Sequence, residues 1–276
     1  MKLSTNVRNS IIKLFMPFFY TTEILNKSPL EQFEVTNLLS LQFPILGYLT
    51  ITLTNLALYS VIVLVIALGL HYLGNNENKL VPSKWSLVLE SLYATLSGIV
   101  RDQIGSNNER YLPFIYSLFV FILVANLIGN IPYNYTITTS VVLTMGFSLT
   151  IFIGVTILGL LTKKISFFSH FVPDGTPLVL TPLLSVIELI SYSARAVSLG
   201  VRLFANMVAG HALLKILSTF LLKFFQSENL FISIVAVVPF SIFCALSVLE
   251  LAVAFIQSYV FVVLTSSYIK EALETH

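Results

Sequence analysis

The chain has 276 residues, 56% of them hydrophobic and only 10% charged, whereas a soluble domain carries roughly 25% charged residues, so the composition excludes a water-soluble globule and places most of the chain in a bilayer. A formal net charge of +2 with no Lys/Arg block excludes a nucleic-acid-binding surface. A single cysteine, Cys244, excludes a disulfide framework, and no Cys/His grouping has the spacing of a metal site.

Residues 1–27 carry Lys2, Arg8, Lys13 and Lys27 around the apolar stretch IIKLFMPFFY, the pattern of a leader or of a basic surface segment. From Ile51 to Leu73 there is no formal charge, and roughly 20 apolar residues cross a ~30 Å hydrocarbon core as a helix, so a first span is expected over about 51–73. GNNENKLVPS breaks that pattern. Beyond it Trp85, Val88, Leu89, Leu92, Leu96, Ile99 and Val100 recur every three or four residues, while Lys84, Glu90, Arg101 and Asp102 stay off the stripe. This predicts an amphipathic helix over about 83–104 lying on the membrane surface.

Two further apolar runs, about 113–130 and 137–161, are separated by NIPYNYT, where Pro132 and the asparagines supply turn chemistry, and read as a transmembrane hairpin. The polar loop TKKISFFSHFVPDGTP follows. Two long apolar segments then remain, about 183–225 and 230–268, divided by QSEN. Each would be about 60 Å long if helical throughout, twice the membrane core. Pro239 offers a kink but no loop, and nothing within 183–225 offers a turn, so the two are read as a steeply tilted helical hairpin and not as four short spans. The expected architecture is all-α: a single membrane domain over 28–276 with five membrane-embedded helices and one surface helix.

Basic residues orient the spans. Loop 74–112 carries Lys79, Lys84, Arg101 and Arg110 and loop 162–180 carries Lys163 and Lys164, whereas 131–136 has none and 223–229 only Lys223. Basic loops stay inside, so the mature N-terminus is expected outside and the C-terminus inside, provided that the basic segment up to Lys27 is removed. No internal repeat is evident.

The informative stretch is SARAVSLGVRLFANMVAGH, Ser193 to His211. A charge at a helix centre costs about 2.5–3.5 kcal/mol to insert, so a segment holding Glu188, Arg195 and Arg202 needs compensation from within the protein. These three are spaced by seven, which at ~100° per residue puts them on one helix face, drifting only ~20° per step. His211 is nine residues beyond Arg202, a rotation of about 180° and a rise of ~13.5 Å, and so faces other neighbours at another depth. On the last segment Glu250 and Gln257 are again seven apart on one face. The arginine helix is also rich in Ala, Ser and Gly, which let another helix surface come close.

Structural readings stand beside functional ones. Arg195 paired with Glu188 is a salt bridge that holds helices together, but one Glu cannot neutralise both arginines, so Arg202 requires an external partner. His211 reads either as a packing histidine or as a functional one, and Glu250 either as a neutral interhelical carboxylic acid or as a proton carrier. Gln257 and Asn206 fit polar glue between helices as well as they fit a proton path. His71 and His170 lie at loop edges and read as interfacial, as do Trp85 and the many tyrosines.

SYSARAVSLGVRLFANMVAGH, with FFSHFVPDGTPLVLTPLLSVIELISY before it and VLELAVAFIQSYVFVVLTSSYI after it, resembles subunit a of the rotary F-type ATP synthases, over roughly residues 28–276. NLIGNIPY supports the resemblance, and SPLEQFEV near Ser28 is similar to the start of mature mitochondrial forms. The resemblance implies that Arg202 is the essential cation, that His211, Glu250 and Gln257 lie on an outer-side proton path, that Glu188 lies on an inner-side one, and that Asn206 and Arg195 are supporting residues. It implies a ring of c subunits, each with a mid-membrane carboxylate, as the missing partner, other membrane-sector and peripheral-stalk subunits besides, no cofactor, and residence in the mitochondrial inner membrane with residues 1–27 removed. Asp174 and Asn130 depart from the usual pattern. A permanent cation between two paths draws a carboxylate into its deprotonated form yet passes no proton itself, and arginine, with a pKa above ~12, meets both needs.

Two other function classes are disfavoured. A haem-bearing redox subunit needs paired histidines within spans, and His211 alone lies deep in a long helix. A secondary carrier shows broken helices and repeated halves, and neither is visible here.

Overall fold

The computed structural model describes residues 28, 30–42, 50–74, 81–131, 134–164, 167, 180–226 and 235–273. The segment 1–27, Pro132, His170, Asp174 and most of the QSEN divider lie outside the described residues. Contacts group the chain into two compact units, a smaller one of residues up to Glu34 with His211–Leu246 and a larger one of Val35–Gly210 with Ser247–His276.

The chain is an all-α membrane protein preceded by a short ribbon that the sequence reading did not foresee. Strand β1 (Asn37–Gln42) pairs antiparallel with β2 (Thr50–Thr54), with Ser40 opposite Thr52 and a bulge between Asn37 and Leu39. The expected first span therefore loses its beginning: Ile51–Thr54 is strand, and helix α1 runs Asn55–Gly74. TITLT alternates Thr with Ile and Leu, a period of two that suits a strand, and its lack of charge alone made it read as the start of a helix. Thr54 ends the strand and starts the helix, since its Oγ1 accepts the Ala57 N–H at 3.3 Å in the manner of an N-cap.

Helix α2 (Lys84–Ile104) is capped by Ser83, whose Oγ accepts the Ser86 N–H at 3.2 Å, and ends at Gly105, where φ is +94° and a side chain would be strained. The C-terminal part of its apolar stripe, Leu96, Val100 and Ile104, is buried, while Trp85 and Val88 near its start stay exposed. Helix α3 (Leu112–Gly129), with Pro113 in its first turn, is apolar all round and is the centre of the larger unit, with Ile115, Ile122, Ala125 and Asn126 almost inaccessible. It packs on α1 and α2.

Helix α4 (Val141–Lys163) begins later than the run from Ile137 suggests, because Ile137–Thr139 is a single 3-10 turn in which Thr139 Oγ1 donates to the Thr136 carbonyl at 2.6 Å. Beside that turn the Tyr135 phenol is pushed above its ordinary pKa by burial. The last two helices are α5 (Thr181–Gln226) and α6 (Val237–Leu273). Pro239 lies in the first turn of α6, where its missing N–H costs no bond within that helix. Among the described residues five helices are long and apolar enough to cross a membrane: α1, α3 with the turn before it, α4, α5 and α6.

Within the larger unit α4 packs antiparallel on α5 through small residues. Ser148 Oγ donates to the Ala196 carbonyl, Thr156 Oγ1 and Tyr192 Oη lie 2.9 Å apart, and Gly200 lies against Met145 and Thr144. A Cβ on Gly200 would sit 2.8 Å from Met145 Sδ and 3.1 Å from the Thr144 carbonyl oxygen, whereas one on Gly146 would meet nothing within 4 Å. Gly200→Val is therefore expected to lower the stability of the assembled protein by about 1–3 kcal/mol, while Gly146→Ala is neutral or slightly stabilising. Thermal denaturation of the two variants checks this, and equal midpoints would remove the close-packing argument.

Candidate functional site

The part of α5 within the larger unit has two distinct edges. Ala196, Leu199, Gly200, Leu203 and Met207 recur at helical spacing and are buried. Ser191, Ala194, Ser198, Arg202, Ala205 and Ala209 recur at the same spacing on the exposed edge, so Arg202 projects from a surface otherwise built of small side chains. Among the described residues Arg202 forms no salt bridge.

Arg195, seven residues earlier, is enclosed. Its Nη2 lies 3.6 Å from Glu188 Oε1 on its own helix and its Nη1 donates to Glu271 Oε2 on α6. Tyr268 Oη also donates to the Arg195 carbonyl at 3.5 Å, and Lys163 Nζ on α4 donates to the Glu271 carbonyl at 3.1 Å. Glu188 lies on the same helix as Arg195 and so does not join two helices; the pairing between helices comes from Glu271, which the sequence reading missed. The signal was present: Glu250, Gln257, Leu264 and Glu271 are each seven apart, so Glu271 continues the polar face after one apolar step.

Helices α5 and α6 run antiparallel here, and two side-chain pairs join them, Arg195 with Glu271 and Asn206 with Gln257. Asn206 Nδ2 donates to Gln257 Oε1 at 2.7 Å, and Gln257 is buried with its Nε2 unpartnered among the described residues. Glu250 is buried, and its Oε1 lies 2.7 Å from where a Cβ on Gly210 would stand, so the absent side chain leaves room for the carboxyl group. Asn126, fully buried on α3, donates through Nδ2 to the Ala254 carbonyl at 3.3 Å, one turn from Glu250. It lies within NLIGNIPY but was not singled out, because an asparagine in a run has no periodic signature. His211 belongs to the smaller unit, where its ring is 6.5 Å from that of Phe33. Among the described residues no three His, Cys, Asp or Glu side chains come together as a metal site.

Comparison with known proteins identifies the family. Residues 57–270 match the family model described as ATP synthase A chain. Subunit a of the ATP synthase from Mycosarcoma maydis is 59% identical over 90% of this chain and 98% of its own length. The chain belongs to the ATP synthase subunit a family. The subunits a of Trichophyton rubrum and Yarrowia lipolytica, 50% and 44% identical, each align over 90% of this chain and cover 97% and 98% of their own lengths. Subunit a is one component of a multisubunit synthase, and this member of the family is a multi-pass membrane protein.

The enclosed arginine generates a prediction. In this subunit a, Arg195→Gln leaves Glu188 and Glu271 facing each other without a cation, so the double variant Arg195→Gln/Glu271→Gln should be more stable than the sum of the single changes allows. A coupling of about 0.5–3 kcal/mol is expected from a double-mutant cycle on thermal stability. Additive effects would mean that the pair is incidental.

Proposed function

We propose that the chain is the stator subunit that gives protons two offset half-paths to and from a rotating ring of c subunits, and so couples proton flow to ATP synthesis. One observation carries the reading: Arg202 stands exposed on a small-residue edge and, among the described residues, without an ion pair, while the half-buried Arg195 on the same helix lies between two carboxylates. The first is the essential cation between the half-paths, facing the ring carboxylates. The second holds α5 to α6. The fungal source of the relatives supports residence in the mitochondrial inner membrane, and the basic loops support a mature N-terminus in the intermembrane space, after loss of residues 1–27, and a C-terminus in the matrix; the remaining membrane-sector and peripheral-stalk subunits are the proposed partners.

His211, Glu250 and Gln257 are assigned to the outer path with Asn206 in support, and Glu188 to the inner path. The spacing supports this division. Glu250 lies beside Gly210, ~12 Å beyond Arg202 along the helix, whereas Glu188 lies ~21 Å before it. The two carboxyl groups therefore cannot share one water pocket.

Arg202→Ala is expected to abolish proton-coupled ATP synthesis in a complex that still assembles, because the exposed guanidinium has no packing role to lose, while Arg195→Gln reduces synthesis less. Normal coupled synthesis with Arg202→Ala would overturn the assignment. The two routes are tested separately in oriented vesicles with inner and outer pH varied independently. Glu250→Gln should alter the response of proton flow to outer pH, and Glu188→Gln the response to inner pH. If both variants shift the response on the same side, a single continuous pore is the better account.

A further inference from the structure

A cavity of about 880 Å³ lies in the larger unit between α1, α3, α4 and the end of α6, and no residue of α5 lines it. Its floor is apolar, formed by Leu64, Phe121 and Phe147, with the two phenylalanine rings 5.3 Å apart. Two hydroxyls along its wall are turned away from it, since Ser117 Oγ donates to the Phe114 carbonyl and Thr150 Oγ1 to that of Gly146 within their own helices. From Tyr111 to Ile122 on α3, and from Leu158 to Phe147 on α4, the lining is ~16 Å deep, about half of a ~30 Å hydrocarbon core. The cavity spans one leaflet.

Polar groups gather at the opposite end. His71 Nδ1 donates to the Ala67 carbonyl at 2.7 Å, so its Nε2 accepts from the Tyr116 hydroxyl at 3.0 Å. Tyr111 lines the same end, and the Arg110 guanidinium stands 5.2 Å from its ring centroid. Arg110 is exposed and follows the surface helix α2. Its acidic neighbour Glu109 is engaged by Arg101 at 2.7 Å, so the charge of Arg110 is left to act outward.

We infer that this cavity is a binding site for an anionic phospholipid of the leaflet in which α2 lies, with acyl chain in the cavity and phosphate at Arg110. A transmembrane helix of another subunit needs the full thickness of the core, about twice the depth of this lining, whereas an acyl chain of one leaflet matches it. A cation at the level of the surface helix selects an anionic headgroup over a zwitterionic one, and the stack on Tyr111 holds that cation at the mouth. Gly154 faces the cavity and a Cβ there meets nothing within 4 Å, so a large side chain at this position fills the space without striking protein.

The test is lipid retention by the intact complex, purified in mild detergent and exchanged with vesicles of equal phosphatidylglycerol and phosphatidylcholine content, with bound lipid counted by native mass spectrometry. The wild-type complex should keep one more phospholipid per copy of this chain than Gly154→Phe, and that lipid should be phosphatidylglycerol. Arg110→Gln should lower the retained anionic-to-neutral ratio several-fold, and salt should do the same in the wild type. Equal retention by wild type and an assembled Gly154→Phe complex overturns the inference. So does absence of headgroup preference in the wild type, a measurement that needs no variant to fold, or protein density in the cavity in a map of the complex.

Discussion

A guanidinium inside a membrane helix has to be matched by negative charge or by water, and the match that Arg195 makes with Glu188 and Glu271 is the constraint on which the rest of the arrangement depends. One carboxylate comes from the same helix, two turns away, and the other from α6. The interaction therefore neutralises a charge and fixes the register of two long helices together. With Arg195 opposite Glu271, Asn206 falls opposite Gln257 and Gly210 opposite Glu250. A slip of one residue would break the ion pair and the amide bond and would drive the Glu250 carboxyl group from its notch.

The same register leaves Arg202 outside. Charge neutralisation on this stretch of α5 is used up one heptad before it, and among the described residues no carboxylate of α6 forms an ion pair with Arg202. The buried edge of α5 docks on α4 through Ala196 and Gly200, so Arg202 and its small neighbours occupy the edge that remains. An uncompensated cation on a smooth surface needs a partner that brings carboxylates close, and small side chains permit that approach. The ring proposed above as the partner, with one carboxylate per subunit, meets both requirements.

Much of this was legible in the chain. Charge spacing of seven residues placed Glu188, Arg195 and Arg202 on one face, and simple counting of carboxylates against arginines identified Arg202 as the residue left over. Helix α2 was legible because its apolar residues recur at helical spacing while its charges do not. What stayed hidden depended on the third dimension. Glu271 lies near the polar end of a long apolar segment and reads as an interfacial charge until α6 is laid against α5. Asn126 is significant only because α3 is surrounded and its side chain meets the Ala254 carbonyl. Thr50–Thr54 shows the opposite error, in which absence of charge outweighed the alternation that marks a strand.

The central claim is that the edge of α5 bearing Arg202 faces the ring. Single cysteines on that edge, Ser198→Cys and Ala205→Cys, and one on another exposed side of the helix, Val197→Cys, in a background with Cys244 replaced by serine, separate the possibilities by oxidative cross-linking to cysteines in the c subunits. Val197 is ~140° from Arg202 around the helix, whereas Ser198 and Ala205 lie within ~60° of it. Cross-links from positions 198 and 205 with none from 197 are the expected result. Cross-linking of equal yield from all three would contradict the account.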